Sequence, residues 1–204
     1  IDGNSLMYRA YFGIADTSTL KPNSKGVFTN AIMSFARMMN HILQEQFDNI
    51  LVAFDAGKHT FRHDIMTDYK AGRAHMPEEM RMQIAHIKNL LDLLGVKRYE
   101  VALYEADDII GTMAKKAEGE GYHVDIYSSD KDLLQLITDN TTVHLTKKGL
   151  TDLEDYTPSH FEEVYGIKVP QFIDLKALMG DKSDNISGVP GIGIKKAVKY
   201  LCEY

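Results

Sequence analysis

Short clusters of carboxylates, each beside an apolar run, constrain this chain more than any other feature. They are Asp2 in IDGNS, Asp55 in ILVAFDAG, Glu105, Asp107 and Asp108 in YEADDIIG, Asp130 and Asp132 in YSSDKDL, and Asp181 and Asp184 in MGDKSDN. Charged side chains rarely sit at the ends of buried strands unless paired or bound to metal. Several hard oxygen ligands gathered together suit Mg²⁺ or Mn²⁺ rather than zinc or copper. A site for two such ions is the usual apparatus for cutting a phosphodiester by in-line attack.

The apolar runs place those acids on a sheet. Ile1 and Asp2 read as the end of a strand, so the sequence is expected to have lost a short N-terminal piece. A helix is predicted over 31–44, with Ile32, Phe35, Ala36, Met39 and Leu43 on one face. The continuous run 50–54 has the pattern of a strand buried on both sides. Over 77–94 a helix is predicted: Pro77 suits its first turn, Glu78 and Glu79 its positive end, and Met80, Ile84, Ile87, Leu91 and Leu94 form a stripe. Further strands are expected at 96–103, 123–127 and 142–145, and helices at 106–118, 158–165, 171–179 and 194–201. This alternation predicts an α/β fold, a mostly parallel central sheet with helices on both faces. The connection from Asp55 to Pro77 has no period and carries Lys58, Arg62, Lys70 and Arg73; so long a connection is usually functional or mobile.

Composition narrows the class. At 204 residues the chain is one large domain or a domain with a small appendage, and no apolar run approaches a membrane span. The single Cys202 excludes an intrachain disulfide and a cysteine zinc site, and fits a reducing cytoplasm. The net charge of −6 is weak grounds against a nucleic-acid partner, because setting the clustered acids aside leaves a net positive remainder.

Each motif also has a plainer reading. One Asp past a strand is often an N-cap, but Asp2, Asp55, Asp130 and Asp132 all fall at or past strand ends, the edge where open α/β sheets bind ligands. Glu105, Asp107 and Asp108 could merely offset a helix dipole, yet their crowding favours a cation. Asp181 and Asp184 stand one helical turn apart and could face one ion. Gly188, Gly191 and Gly193, then Lys195 and Lys196, form a turn entering a helix, either a plain turn or a phosphate seat. Lys70 and Arg73 are either solvated charges or phosphate contacts. The histidines receive no role.

Taken together and in order, IDGNSLMYRAYF, VAFDAGKHTFRHDIMTDYKAGR, YEADDIIG, SSDKDLLQL and MGDKSDNISGVPGIG resemble the bacterial 5′ nuclease domain of DNA polymerase I and related flap endonucleases. The resemblance implies a PIN-like core over 1–180, a helical arch at about 57–95, and a truncated helix-three-turn-helix over 181–204. It implies cleavage of 5′ flaps and free 5′ ends of DNA in replication and repair. One metal site would comprise Asp2, Asp55, Glu105, Asp107 and Asp108, the last through water. Asp130 would bridge to a second with Asp132, Asp181 and Asp184. The ions would be Mg²⁺, with Mn²⁺ as substitute, and K⁺ at the glycine turn. Lys70 and Arg73 match the family's catalytic basic pair at the arch base. Arg9 matches a residue near the scissile phosphate. Arg62 and the glycine turn with Lys195 and Lys196 would be further DNA contacts. The turn departs from the family's usual Gly-Glu-Lys-Thr, reading Gly193-Ile194-Lys195-Lys196. The implied setting is a monomer in the bacterial cytoplasm at the nucleoid, with a polymerase domain as a possible covalent neighbour. Rival readings are a non-catalytic flap-binding module and a metal-dependent ribonuclease or phosphatase.

Overall fold

The computed structural model describes residues 1–13, 21–147 and 152–204. Its eight helices among these are α1 (Gly3–Phe12), α2 (Asn30–Leu43), α3 (Phe61–Ile65), α4 (Glu78–Leu93), α5 (Ala106–Gly119), α6 (Pro158–Tyr165), α7 (Phe172–Met179) and α8 (Ile194–Glu203). The strands are β1 (Leu51–Ala53), β2 (Lys97–Tyr99), β3 (Val124–Ser128), β4 (Thr141–Thr146), β5 (Leu153–Tyr156) and a small hairpin, β6 (Gly180–Asp181) with β7 (Ile186–Ser187).

β1 pairs with β2 and β3 with β4, both parallel, while β5 is an antiparallel addition to β4. Ile1 and Asp2 join the two halves. The Ala53 amide donates to the Ile1 carbonyl at 2.9 Å, and the Asp2 amide donates to the Tyr127 carbonyl at 2.9 Å. The mostly parallel sheet therefore runs β2, β1, residues 1–2, β3, β4, β5. Strand alternation sends side chains to two cores. Val52, Phe54 and Tyr127 pack with α1, α2 and α4, whereas Ala53, Ile126, Val143 and Leu145 pack with α5, α6 and α7. No helix among the described residues is long and apolar enough to cross a membrane.

Several elements differ from expectation: the short helix α3 within the connection and the β6–β7 hairpin were not expected, and three further differences have a clear physical reason. The strand expected over 96–103 pairs only at Lys97–Tyr99, and Leu103 turns away with φ 68° to bridge Thr60. α1 was not expected because Gly3, Asn4 and Ser5 are poor helix formers. Asp2 caps it, accepting from the Ser5 amide, and Leu6, Met7, Ala10 and Tyr11 are buried. The polar strand β5 exists through its pairing with β4, where His144 bonds Asp125 on one side and Asp155 on the other.

Gly188, expected to contact DNA, has a packing reason to be glycine. A Cβ there would overlap the backbone of Met179 and Gly180, where the hairpin folds back on the end of α7. Gly180 has φ 72°, and its Cβ would lie 2.6 Å from the Ile186 carbonyl oxygen. Gly180→Ala is expected to destabilise the chain by about 2–4 kcal/mol in urea titrations, through the φ and the overlap together. Gly119→Ala, which meets open space, should change stability by under about 0.5 kcal/mol.

Candidate metal centre

The acids meet at the carboxyl edge of the sheet in two differently balanced groups. Asp2 is 3% exposed. Its Oδ1 accepts from the Ser5 amide at 2.9 Å and its Oδ2 from the Ser128 hydroxyl at 2.7 Å. Burial pushes its pKa up to about 6 in spite of those bonds. Asp55 follows β1 and accepts from the Ala106 amide at 2.7 Å, at the start of α5, and from the Asn4 side chain at 2.5 Å. Asp130 caps the 3₁₀ helix Lys131–Leu136, accepting from the Asp132 amide at 2.9 Å. Asp107 faces this company. Burial first, then the charges of Asp2, Asp130 and Asp55, push its pKa up to about 8, although Lys70 acts in the opposite sense.

The remaining acids carry internal counter-ions. Glu105 accepts from Lys70 Nζ at 2.8 Å and from the Tyr69 hydroxyl at 3.2 Å. Asp184 accepts from the same hydroxyl at 3.0 Å and from Arg73 Nη2 at 2.6 Å. Tyr69 is buried, so the connection's base is seated in the site. Lys70 holds the left-handed φ of 57°, rare for a side chain of this size, and its amide donates to the Asp184 carbonyl at 3.0 Å. Leu103 and Asn185, also at positive φ, flank the acids, so backbone strain gathers here.

Asp108 is set apart. Arg62 grips it with two bonds of 2.7 Å, and it accepts from the Glu105 amide at 2.9 Å to close a capping box. The Arg62 bond holds its carboxyl below the usual range. Adjacent helical positions do not face one point, which is why Asp108 departs from Asp107. The guanidinium of Arg62, expected on DNA, is thus engaged by Asp108. Asp181 and Asp184, expected to face one ion, are held by different cations: Asp181 by Lys176 and Asp184 by Arg73. Lys176 also lies 2.7 Å from Asp132. Among the described residues, no three acids, histidines or cysteines converge on one point as a ready cage.

The donor set still fits a hard divalent cation. Its oxygens belong to carboxylates, and the burial and, after it, the crowding that raise Asp107 are what a bound cation would offset. Asn4, Tyr69, Ser128 and Lys176 escaped the sequence reading. Asn4 and Ser128 sit beside motif acids, and a polar residue at a buried strand end was the available signal.

At the glycine turn, Gly191 has φ 77° with open space beside it, and Gly193 caps α8. Lys195 and Lys196 begin that helix, and Lys196 Nζ donates to the Gly191 carbonyl at 3.0 Å. Arg9 lies half-buried on α1.

A pH dependence follows. The ordinary value for Asp107 is 3.8, so its raised folded pKa means that the folded state holds the proton more tightly. For the metal-free protein this contribution is fully present below the unfolded pKa. It is lost as pH rises through about 8, with Asp2 acting alike up to about 6. In EDTA, Tm should fall between about pH 5 and about pH 9, and Asp107→Asn should flatten that fall. An unchanged slope in the variant would place the effect elsewhere.

Comparison with known proteins agrees with this geometry. Residues 1–166 match the 5′-3′ exonuclease N-terminal resolvase-like domain, and residues 167–204 the 5′-3′ exonuclease C-terminal SAM fold. DNA polymerase I of Bacillus subtilis (strain 168) is 53% identical over 205 residues, and that of Streptococcus pneumoniae (strain ATCC BAA-255 / R6) 49%. The match covers 100% of this chain but 23% of each relative. Among solved structures, the T5 D15 protein co-crystallised with metal ions matches with TM-score 0.75 and 25% identity, over 100% of this chain and 73% of that one. The bacteriophage T5 D15 flap endonuclease in a pseudo-enzyme–product complex with DNA and metal ions matches with TM-score 0.77 and 26% identity, over the same shares. Flap endonuclease-1 of Methanococcus jannaschii, 21% identical with TM-score 0.63 over 99% of this chain and 69% of that one, shares the fold. With both domains matched in order from the first residue to the last, the chain belongs to the 5′-3′ exonuclease family.

Proposed function

We propose that this chain is a structure-specific 5′ nuclease that hydrolyses DNA at 5′ flaps and free 5′ ends with two Mg²⁺ ions, for which Mn²⁺ substitutes. The observation that carries this reading is the crowded carboxylate group at Asp107, with the strained base of a basic connection seated beside it. The metal-bound and DNA-bound state of the T5 D15 flap endonuclease supports it. In replication and repair the domain would work with a covalently linked polymerase domain, as the names of the longer relatives suggest.

Asp2, Asp55, Glu105 and Asp107 would hold one ion, with Asp108 fixing the start of α5 behind them. Asp130 would bridge to a second ion held with Asp132, Asp181 and Asp184. When bound, the ions lower the pKa of water and stabilise negative charge on the phosphate. Lys70 and Arg73, which here neutralise Glu105 and Asp184, would then be available to meet the phosphate oxygens as charge develops. One such preorganised donor is typically worth about 2.7–4 kcal/mol. Arg9 would lie along the cleaved strand, and the Gly191–Gly193 turn with Lys195 would hold the duplex backbone. Phosphate contacts carry no sequence information, so selectivity rests on shape.

The test is cleavage of a 5′-labelled flap, beside single-stranded RNA and a small phosphoester. Mg²⁺-dependent cleavage of the flap alone is expected. Asp55→Ala and Asp130→Ala should abolish it while leaving the far-ultraviolet CD unchanged. Lys70→Ala should lower the single-turnover rate by about 10²-fold or more, and weaken flap binding far less. Undiminished cleavage by both Asp variants would overturn this assignment.

A further inference from the structure

Lys176 has no part in the chemistry above, yet it occupies the space between two acids assigned to the second ion. It projects from α7, an otherwise largely apolar helix. Its Nζ lies 2.7 Å from Asp132 Oδ1 and also pairs with Asp181 Oδ2. The two acids come from separate elements, the 3₁₀ helix after β3 and the β6–β7 hairpin.

The two acids are placed without help from Lys176, Asp132 through its main chain on the 3₁₀ helix and Asp181 through its own carboxylate. The Asp132 amide donates to Asp130 Oδ1 at 2.9 Å. Asp181 Oδ1 accepts from the Ser183 amide at 2.8 Å and the Ser183 hydroxyl at 2.6 Å, which leaves Oδ2 for the lysine. The cation, by contrast, sits on a flexible four-carbon stem and is about one-third exposed. Arg62, gripping Asp108 through a planar two-bond fork, is the opposite case. A mobile point charge between an anchored carboxylate, Asp181, and one whose main chain is fixed, Asp132, is the partner most easily exchanged.

We propose that Lys176 is a placeholder cation for the second metal site: it holds Asp132 and Asp181 together without metal, and an incoming divalent ion must displace it. This rests on the two-ion reading above. Lys176 is therefore a positioning residue that sets the affinity of one ion by direct competition.

The experiment needs no turnover. Mn²⁺ is titrated into the wild-type chain without DNA, and free Mn²⁺ is read by electron paramagnetic resonance. Asp132→Asn, which should lose one class of ion, marks the second site. Lys176→Met and Lys176→Gln should bind that class about tenfold more tightly and leave the other class unchanged, because one competing charge is gone. Lys176→Arg should keep the wild-type affinity. Folding of each variant is checked by CD. Unchanged or weaker binding in both the Met and Gln variants would overturn the placeholder and leave the two-ion reading standing. If the wild type binds no Mn²⁺ that Asp55→Ala or Asp132→Asn removes, the two-ion reading falls and the placeholder with it.

Discussion

Mutual repulsion among carboxylates at one sheet edge is the constraint around which this molecule is arranged. Two like charges about 4 Å apart oppose each other by about 4 kcal/mol at an effective dielectric of 20. The fold meets this in two ways. Asp107, buried among Asp2, Asp130 and Asp55, holds its proton more tightly, first through burial and then through their charge. Glu105, Asp108, Asp132, Asp181 and Asp184 instead recruit Lys70, Arg62, Lys176 and Arg73. These cations come from the connection after β1 and from α7, so elements distant in sequence are drawn to the same edge.

That arrangement couples the connection to the site. Tyr69 reaches both Glu105 and Asp184 with one hydroxyl, and Lys70 accepts a left-handed backbone so that its amide and ammonium can both be used. A strained residue persists only where its surroundings over-determine it. Here they are the two carboxylates and the hairpin carrying Asp184, itself set by the close approach of Gly180 and Gly188. The same hairpin leads into the glycine turn and α8, so the connection and the turn share a support.

Much of the fold was legible because local signals and tertiary packing agree. α6 begins with Pro158 after the cap Thr157 and ends at Gly166 in the left-handed conformation. In α4 the acids of the first turn and a buried stripe that includes Met80, Ile87 and Leu91 match the periodic pattern. Signals failed where an element depends on its neighbours. α1 draws on a cap and on burial against the sheet in place of propensity, and β5 on its partner strand.

By itself the sequence determined the acids, their order at the ends of apolar runs, and hence a metal-suited edge on a parallel sheet. Period-2 and period-3.6 patterns are local, and a carboxylate past a strand must emerge at the strand's end. Only the tertiary structure decided which acids stay crowded and which find a cation. Lys176 meets Asp132 and Arg62 meets Asp108 across 44 and 46 positions, a separation that no spacing rule encodes. Those pairings follow from how α3, α5, α7 and the β3 loop pack, and packing is where a list of charges becomes a site.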